Sequence, residues 1–169
     1  MTASEALSAF KNRSRAFRAF FGNFLFSGTG SLSTGQPFTV NSIFDVNLDG
    51  NLTDRLDNLN GLVITGDRQQ PLRLAAADPT TLLASIGQDG RIGRNTFRAG
   101  NVIELDLSIS KDFLSSAGHR LILRADIFNF MNRANFGVPV RWLGAASFGQ
   151  ATETVTPGRR LQLAIKYSF

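Results

Sequence analysis

The sequence predicts an all-β protein in which about four long strands run antiparallel and follow one another up and down along the chain. Three observations lead to this prediction. Apolar and polar side chains alternate in four segments, each segment has roughly ten residues, and short and long connections alternate between them.

The clearest alternation lies in the second half of the chain. In the segment 102–113, Ile103, Leu105, Leu107 and Ile109 occupy every second position, and acids and serines occupy the positions between them. Successive side chains leave opposite faces of a strand, so the segment would have one apolar and one polar face. Segments 119–130 and 159–169 repeat this pattern, and 22–34 carries it more weakly because two glycines dilute its apolar side. All four segments are therefore predicted as strands.

The length and connections of these segments favour a membrane location. About ten residues is the length that a tilted strand needs to cross the hydrocarbon of a bilayer. The turn 114–118 is short, whereas the polar connections 35–101 and 131–158 are long. Short turns at one end of a sheet and long loops at the other are typical of outer-membrane barrels. A soluble antiparallel sheet with one dry face would show the same alternation, so that alternative stays open here.

Composition excludes several kinds of site. The chain has no cysteine and a single histidine, which rules out a disulfide framework, a Cys-ligated metal centre and a His-based metal cluster. No arrangement of carboxylates suggests catalysis, so we expect neither an enzyme nor a cofactor. The formal net charge is +5. Beyond residue 20, however, basic residues are interleaved with acids and no recognition motif is present, so we expect no nucleic-acid partner.

The beginning of the chain differs from the rest. Residues 1–20 carry four basic residues against one acid, and their apolar positions can line one side of a short helix. The basic residues interrupt the apolar stretch, which does not fit a secretory signal peptide. The sequence therefore predicts a basic leader at 1–21, helical or disordered, followed by the strand-bearing region 22–169. An amphipathic segment bound to anionic lipid is the alternative for the leader.

The last predicted strand carries a distinctive terminal pattern. Apolar and aromatic residues stand at every second position up to a final phenylalanine, namely Leu161, Leu163, Ile165, Tyr167 and Phe169. This pattern resembles the terminal strand signal of bacterial outer-membrane proteins, which the barrel-assembly machinery reads. Any amphipathic strand that ended in phenylalanine would imitate it.

Further sequence motifs resemble those of the C-terminal barrel of TonB-dependent receptors, in particular the Oar-like group. They are STGQPFTV at 33–40, GRNTFR at 93–98, FNFMN at 128–132 with NFG at 135–137, and TPGRRLQL at 156–163 with KYSF at 166–169. The resemblance covers roughly residues 22–169. Such receptors have about 22 barrel strands around a plug, and the smallest closed barrel has about eight strands. The resemblance therefore implies a fragment, the end of a much larger barrel.

The resemblance also implies a function, a location and partners. The chain would contribute strands and extracellular loops to an outer-membrane transporter that takes up an unknown substrate. Its terminal strand would end on the periplasmic side, with 35–101 and 131–158 outside the cell and the polar strand faces toward the lumen. Its partners would be outer-membrane lipid, the barrel-assembly machinery, the remaining barrel and plug, and indirectly the TonB system. The location would be the outer membrane, although the chain shows no signal peptide.

Two other functions stay open. Several chains, each contributing four strands, could form one multimeric barrel anchor. Alternatively, the chain could be a soluble antiparallel-sheet binding module. A candidate calcium loop would make the binding by that module dependent on calcium. The segment 45–51 matches the first half of such a loop, with oxygen-bearing Asp45, Asn47, Asp49 and Asn51 around a glycine. The twelfth position, where a bidentate glutamate is needed, is Leu56. A plain turn rich in Asp and Asn is the competing interpretation.

Arg91, Arg94 and Arg98 form a basic cluster in the first long connection. Guanidinium groups bind carboxylates and phosphates well, so this cluster could meet an anionic ligand or a lipopolysaccharide phosphate. We favour a structural role instead, in which the arginines are solvated or pair with Glu104 and Asp106.

Overall fold

The computed structural model describes residues 21–114 and 118–169. Residues 1–20 of the predicted leader (1–21) and the centre of the predicted turn, 115–117, lie outside the described residues. The long strands are β1 (Phe24–Ser33), β7 (Val102–Leu114), β8 (Arg120–Phe128) and β10 (Arg160–Ser168). The short elements are β2 (Pro37–Phe38), β3 (Asn41–Ser42), β4 (Leu62–Ile64), β5 (Leu72–Leu74), a 3-10 turn (Pro79–Leu82), β6 (Phe97–Arg98) and β9 (Trp142–Leu143).

The four long strands form one sheet in the order β1-β7-β8-β10. β8 pairs antiparallel with β7 on one side and with β10 on the other. Each long strand lies within one of the four segments that alternate in the sequence, except that β7 extends one residue beyond its segment, to Leu114. The predicted all-β fold with about four antiparallel strands is confirmed.

The register across β7, β8 and β10 sorts their side chains into two faces. One face, here called the apolar face, is made of four rows: Leu107, Ile127 and Leu161; Ile109, Ala125 and Leu163; Lys111, Leu123 and Ile165; and Phe113, Leu121 and Tyr167. The rows between them form the polar face: Ser108, Asp126 and Gln162; Ser110, Arg124 and Ala164; and Asp112, Ile122 and Lys166. The predicted alternation therefore runs across the whole sheet, with Lys111 as the one charge among these apolar rows.

The sheet leaves its edge strands open. Every residue of β1 and of β10 is exposed. Even large aliphatic side chains of β10 are mostly uncovered, since Leu163 is 71% exposed and Ile165 is 75% exposed. Water is a poor environment for such a surface, and unpaired strand edges promote association with other strands. An apolar environment and further strands would cover this surface and these edges.

The chain divides into two compact units, and the apolar core lies in the second. This unit comprises Ser31–Glu104 and Arg133–Gly158. The buried hydrophobic residues that form this core are Phe38, Val40, Leu56, Leu72, Leu82, Phe97, Leu143 and Phe148. The sequence analysis treats most of this unit as long polar loops and misses the core, because strands of two or three residues are too short to show alternation.

Short strand pairs and close backbone approaches organise this second unit. β2 pairs antiparallel with β6, β4 pairs antiparallel with β5, and β3 pairs parallel with β9. A Cβ atom at Gly35 would lie only 1.8 Å from the carbonyl oxygen of Ala99. At Gly149, φ is +77° and a Cβ atom would lie 2.0 Å from the carbonyl oxygen of Leu72. Only glycine fits these two positions without moving the neighbouring backbone.

Candidate functional site

The polar face of the sheet carries paired charges. Arg124 Nε donates to both carboxylate oxygens of Asp126, at 2.9 Å each. Arg120 pairs with Asp112 across the β7–β8 pair, with 2.6 Å between its terminal nitrogen and the carboxylate. A shallow pocket of about 180 Å³ lies on the same strands and includes Asp106 and Ser108 among its lining residues. This face suits a water-filled lumen, where mixed charges keep their hydration.

The apolar face carries an open groove of about 380 Å³. Its lining includes Phe24, Ile109, Leu123, Leu163 and Ile165. Lys111 also lines this groove. Its position there was not predicted from the sequence, because the alternation of β7 was followed only as far as Ile109. Extending the same period by one step would have found it. A groove of this composition offers contact to an apolar chain and one positive charge.

The residues of the predicted terminal signal share the apolar face. Leu161, Leu163, Ile165 and Tyr167 follow one another in successive rows, and Phe169 comes two residues later. The Tyr167 hydroxyl lies 2.8 Å from His119 Nδ1, and the two rings are stacked with centroids 5.9 Å apart. The rings of Tyr167 and Phe169 are also 5.9 Å apart. The sequence analysis missed His119 as part of this cluster because nothing in its local sequence indicates a partner 48 residues away.

The calcium-loop candidate folds as a tight turn in which side chains bind the backbone of the loop itself. Asp45 Oδ1 accepts hydrogen bonds from the N–H groups of Leu48 and Asp49, at 2.8 and 3.2 Å, and its Oδ2 accepts one from Gly50 at 2.9 Å. Asn51 N–H donates to Asp49 Oδ1 at 2.8 Å. This bond and one from the Asn47 side chain lower the pKa of Asp49. These bonds keep the turn together without any ion.

Asp54 lies close to this turn and is 1% exposed. Its Oδ2 accepts a hydrogen bond from the N–H of Val46 at 2.9 Å, whereas its Oδ1 is buried without a hydrogen-bond partner among the described residues. Across the ranges 21–114 and 118–169, no three carboxylate, imidazole or thiol groups converge as a metal site would need. The predicted calcium candidate therefore remains a prediction.

The basic cluster forms contacts other than those expected. Arg91 makes a bidentate pair with Asp57, at 2.7 and 2.9 Å, and Arg98 donates to the carbonyl oxygen of Gly35 at 3.2 Å. The hydrogen bonds from Arg91 lower the pKa of Asp57. The expected pairing of Arg91 with Glu104 or Asp106 is wrong, because Arg91 pairs with Asp57 instead. Asp106 instead accepts the Asn129 N–H at 2.8 Å. A structural role, rather than an open anion site, fits Arg91.

A family model described as an outer membrane beta barrel domain matches residues 2–162. No curated protein and no solved structure matches the chain. In the described part of the chain, no helix is long and apolar enough to cross a membrane. The matched range covers most of the chain, and the chain accordingly belongs to the outer-membrane β-barrel domain family and is located in the outer membrane.

Proposed function

We propose that the chain is the C-terminal part of a TonB-dependent outer-membrane receptor, to which it contributes strands and extracellular loops for the uptake of a substrate. The observation that carries the proposal is the open sheet of the described residues, ordered β1-β7-β8-β10 and exposed along both edge strands. The receptor class is supported by the sequence motifs at 33–40, 93–98 and 128–132, which resemble those of TonB-dependent receptors.

The open edges call for more strands. In hydrocarbon, every backbone N–H and C=O group must be paired, so a sheet edge cannot face lipid. The smallest closed barrels have about eight strands, and the sheet described here has four. The outer edges of β1 and β10 would therefore pair with strands of the remaining barrel, and the apolar face would contact lipid.

The direction of the strands follows from the same proposal. Terminal strands of outer-membrane barrels end at the periplasm, which would place the turn between β7 and β8 there as well. The connections 35–101 and 131–158, which contain an apolar core of their own, would then be extracellular. A compact extracellular unit is a suitable platform for recognising a substrate, because its core holds the exposed residues in fixed positions.

No catalytic step is part of this proposal. Asp112 and Asp126 of the polar face are paired with Arg120 and Arg124, and we propose that this face lines the aqueous lumen rather than acts on a substrate. The barrel-assembly machinery and the TonB system would be partners, the second through the plug of the complete receptor.

The test replaces the last four strands of a TonB-dependent receptor with the full chain. We expect the hybrid, produced behind a signal peptide, to show heat-modifiable migration in outer-membrane fractions and TonB-dependent uptake of that receptor's substrate. The matched control is the truncated receptor without any replacement, which should not assemble. The full chain exported alone provides the contrary outcome. If it forms a heat-resistant oligomeric barrel by itself, the multimeric anchor is the better function, and if it stays soluble and monomeric in the periplasm, the receptor proposal fails.

A further inference from the structure

Lys111 is the single charged residue in the four rows of the apolar face. Its row contains Leu123 and Ile165, and its neighbours on the same strand and face are Ile109 and Phe113. The residue is 8% exposed. A cation in such surroundings is costly unless it is drawn toward water or toward an anion.

The ammonium group points toward the end of the sheet where β1 begins. Lys111 Nζ donates a hydrogen bond to the carbonyl oxygen of Gly22, which precedes the first residue of β1. The N–H of Asp112 donates to the carbonyl oxygen of Asn23 at 3.1 Å. Gly22, the residue before Asn23, therefore lies at least as close to that end of the sheet as the row of Phe113 does. The long lysine side chain therefore carries its charge away from the middle of the apolar face, as lysines near a membrane interface do.

Two aromatic rings flank the ammonium group without neutralising it. Nζ lies 4.3 Å from the ring centroid of Phe24 and 4.8 Å from that of Phe113. Rings attract a cation through their faces, but they carry no charge. Among the described residues, the ion pairs involve Arg55, Arg91, Arg120 and Arg124, and none involves Lys111. An ammonium group has three N–H donors, so Lys111 can donate to an anion as well as to the carbonyl oxygen of Gly22.

The groove beside Lys111 is lined mainly by apolar groups. Arg124 also lines it, but its guanidinium group is paired with Asp126. The groove lies on the face of β7, β8 and β10 that also carries Phe24, and its aliphatic lining includes Ile109, Leu123 and Ile165. The chain belongs to an outer-membrane barrel family, and in such a barrel an apolar strand face is the one that would contact lipid. A groove with hydrocarbon walls and one cation at its end matches an amphiphile that has an acyl chain and a negative headgroup.

We propose that Lys111 binds the phosphate of an anionic phospholipid, with one acyl chain in the groove between Phe24 and Ile165. The site is at the end of the sheet that the proposed orientation places in the periplasmic leaflet, and to that extent it rests on the proposed function. Phospholipid is favoured over a second copy of the chain because the charge at the end of the groove needs a counterion, and the apolar face carries no acidic residue in its four rows.

The test measures lipid retained by the full chain purified from phosphatidylcholine micelles that contain a minor fraction of phosphatidylglycerol. We expect native mass spectrometry to show retained phosphatidylglycerol, and Lys111→Gln to reduce that retention about fivefold, the effect expected of one lysine at an anionic surface. Lys111→Arg should preserve the retention. Lys166→Gln is the matched control because it removes the same charge from the polar face, one residue away from Ile165, and it should retain lipid like the wild type.

Several outcomes would overturn the proposal. Equal loss in Lys111→Gln and Lys166→Gln would indicate a general charge effect. Displacement of phosphatidylglycerol by inorganic phosphate would indicate a simple anion site without an acyl chain, and a lipid-free dimer would indicate that a second copy covers the groove. Circular dichroism of each variant checks that its strand content is unchanged, and Lys111→Arg provides the comparison if Lys111→Gln does not fold. The test needs no TonB system, so its failure is distinguishable from failure of the receptor proposal.

Discussion

Asn135 binds both backbone polar groups of Ile103 with a single side-chain amide. Its Oδ1 accepts the Ile103 N–H at 3.0 Å, and its Nδ2 donates to the Ile103 carbonyl oxygen at 2.9 Å. Nδ2 also donates to Thr156 Oγ1 at 2.9 Å, and Asn135 is 1% exposed. The amide thus takes the place of a neighbouring strand at the beginning of β7. It also links 102–103 to the segment 135–156, within the second unit.

Asn135→Leu should destabilise the second unit strongly. The substitution keeps the number and branching of the side-chain heavy atoms but removes the partners of the Ile103 N–H and C=O groups, at a cost of about 2–4 kcal/mol. The free energy of unfolding of the full chain in detergent is the measurement. Asn60→Leu is the control, because Asn60 is exposed and its change should alter stability little. Equal stability of both variants would show that the Asn135 amide is dispensable.

The pair between Asp57 and Arg91 should make the stability of the second unit depend on pH. Its hydrogen bonds lower the pKa of Asp57 below the ordinary value of 3.8. The contribution is therefore fully present above the unfolded-state pKa, and it is lost as the pH falls through the lower folded-state pKa. Melting temperatures of the wild type and Asp57→Asn should differ at neutral pH and converge in acid. Arg91→Gln should behave like Asp57→Asn, and the double variant should add little to either. A constant difference at every pH would contradict the prediction.

Gly35→Ala should disturb the start of the second unit, whereas Gly158→Ala should not. The new Cβ atom at position 35 would lie 1.8 Å from the Ala99 carbonyl oxygen, while a Cβ atom at position 158 would meet nothing within 4 Å. Relief of that clash requires β2 and β6 to move apart, since Gly35 and Ala99 flank this strand pair. Protection of the Ala99 amide, which donates to Gln36, should fall in hydrogen exchange. Unchanged protection in Gly35→Ala would mean that the backbone adapts at no cost.

The turn at 45–51 should remain folded without calcium. Asp45 accepts three backbone N–H groups, so Asp45→Ala should lower the melting temperature in a chelator, whether or not calcium is later added. Thermal unfolding in chelator and in calcium is the measurement, and Asn47→Ser serves as a milder comparison. If calcium raised the melting temperature of the wild type but not of Asp45→Ala, the calcium-loop interpretation would stand.

Phe169→Ala should reduce the amount of assembled barrel when the full chain completes a receptor. In the proposed assembly signal, Phe169 and Tyr167 are large aromatics at the lipid interface, where an apolar ring next to wet headgroups is favoured. Deleting residues 167–169 should reduce assembly further, while Lys166→Arg, on the polar face, should have little effect. The heat-modifiable fraction in outer membranes is the readout. Equal amounts in all variants would mean that the terminal pattern is merely an amphipathic strand.

The sequence by itself determined the long strands and their two faces. A strand of nine or more residues repeats its alternation several times, so the pattern in 102–113 and 159–169 identifies both the element and the side of each residue. The same local information predicted membrane insertion, and the match to the outer-membrane β-barrel family confirms it.

Only the tertiary structure decided which distant residues meet. Phe38 and Phe97 pack with ring centroids 5.8 Å apart, although each belongs to a strand of two residues that has no periodicity to reveal it. The period of β7 puts Lys111 on the apolar side, but only the register places it beside Leu123, Ile165 and the ring of Phe24. Contacts of this kind join residues that are far apart in the sequence. They depend on the path of the connecting loops, which the local pattern of side chains does not determine.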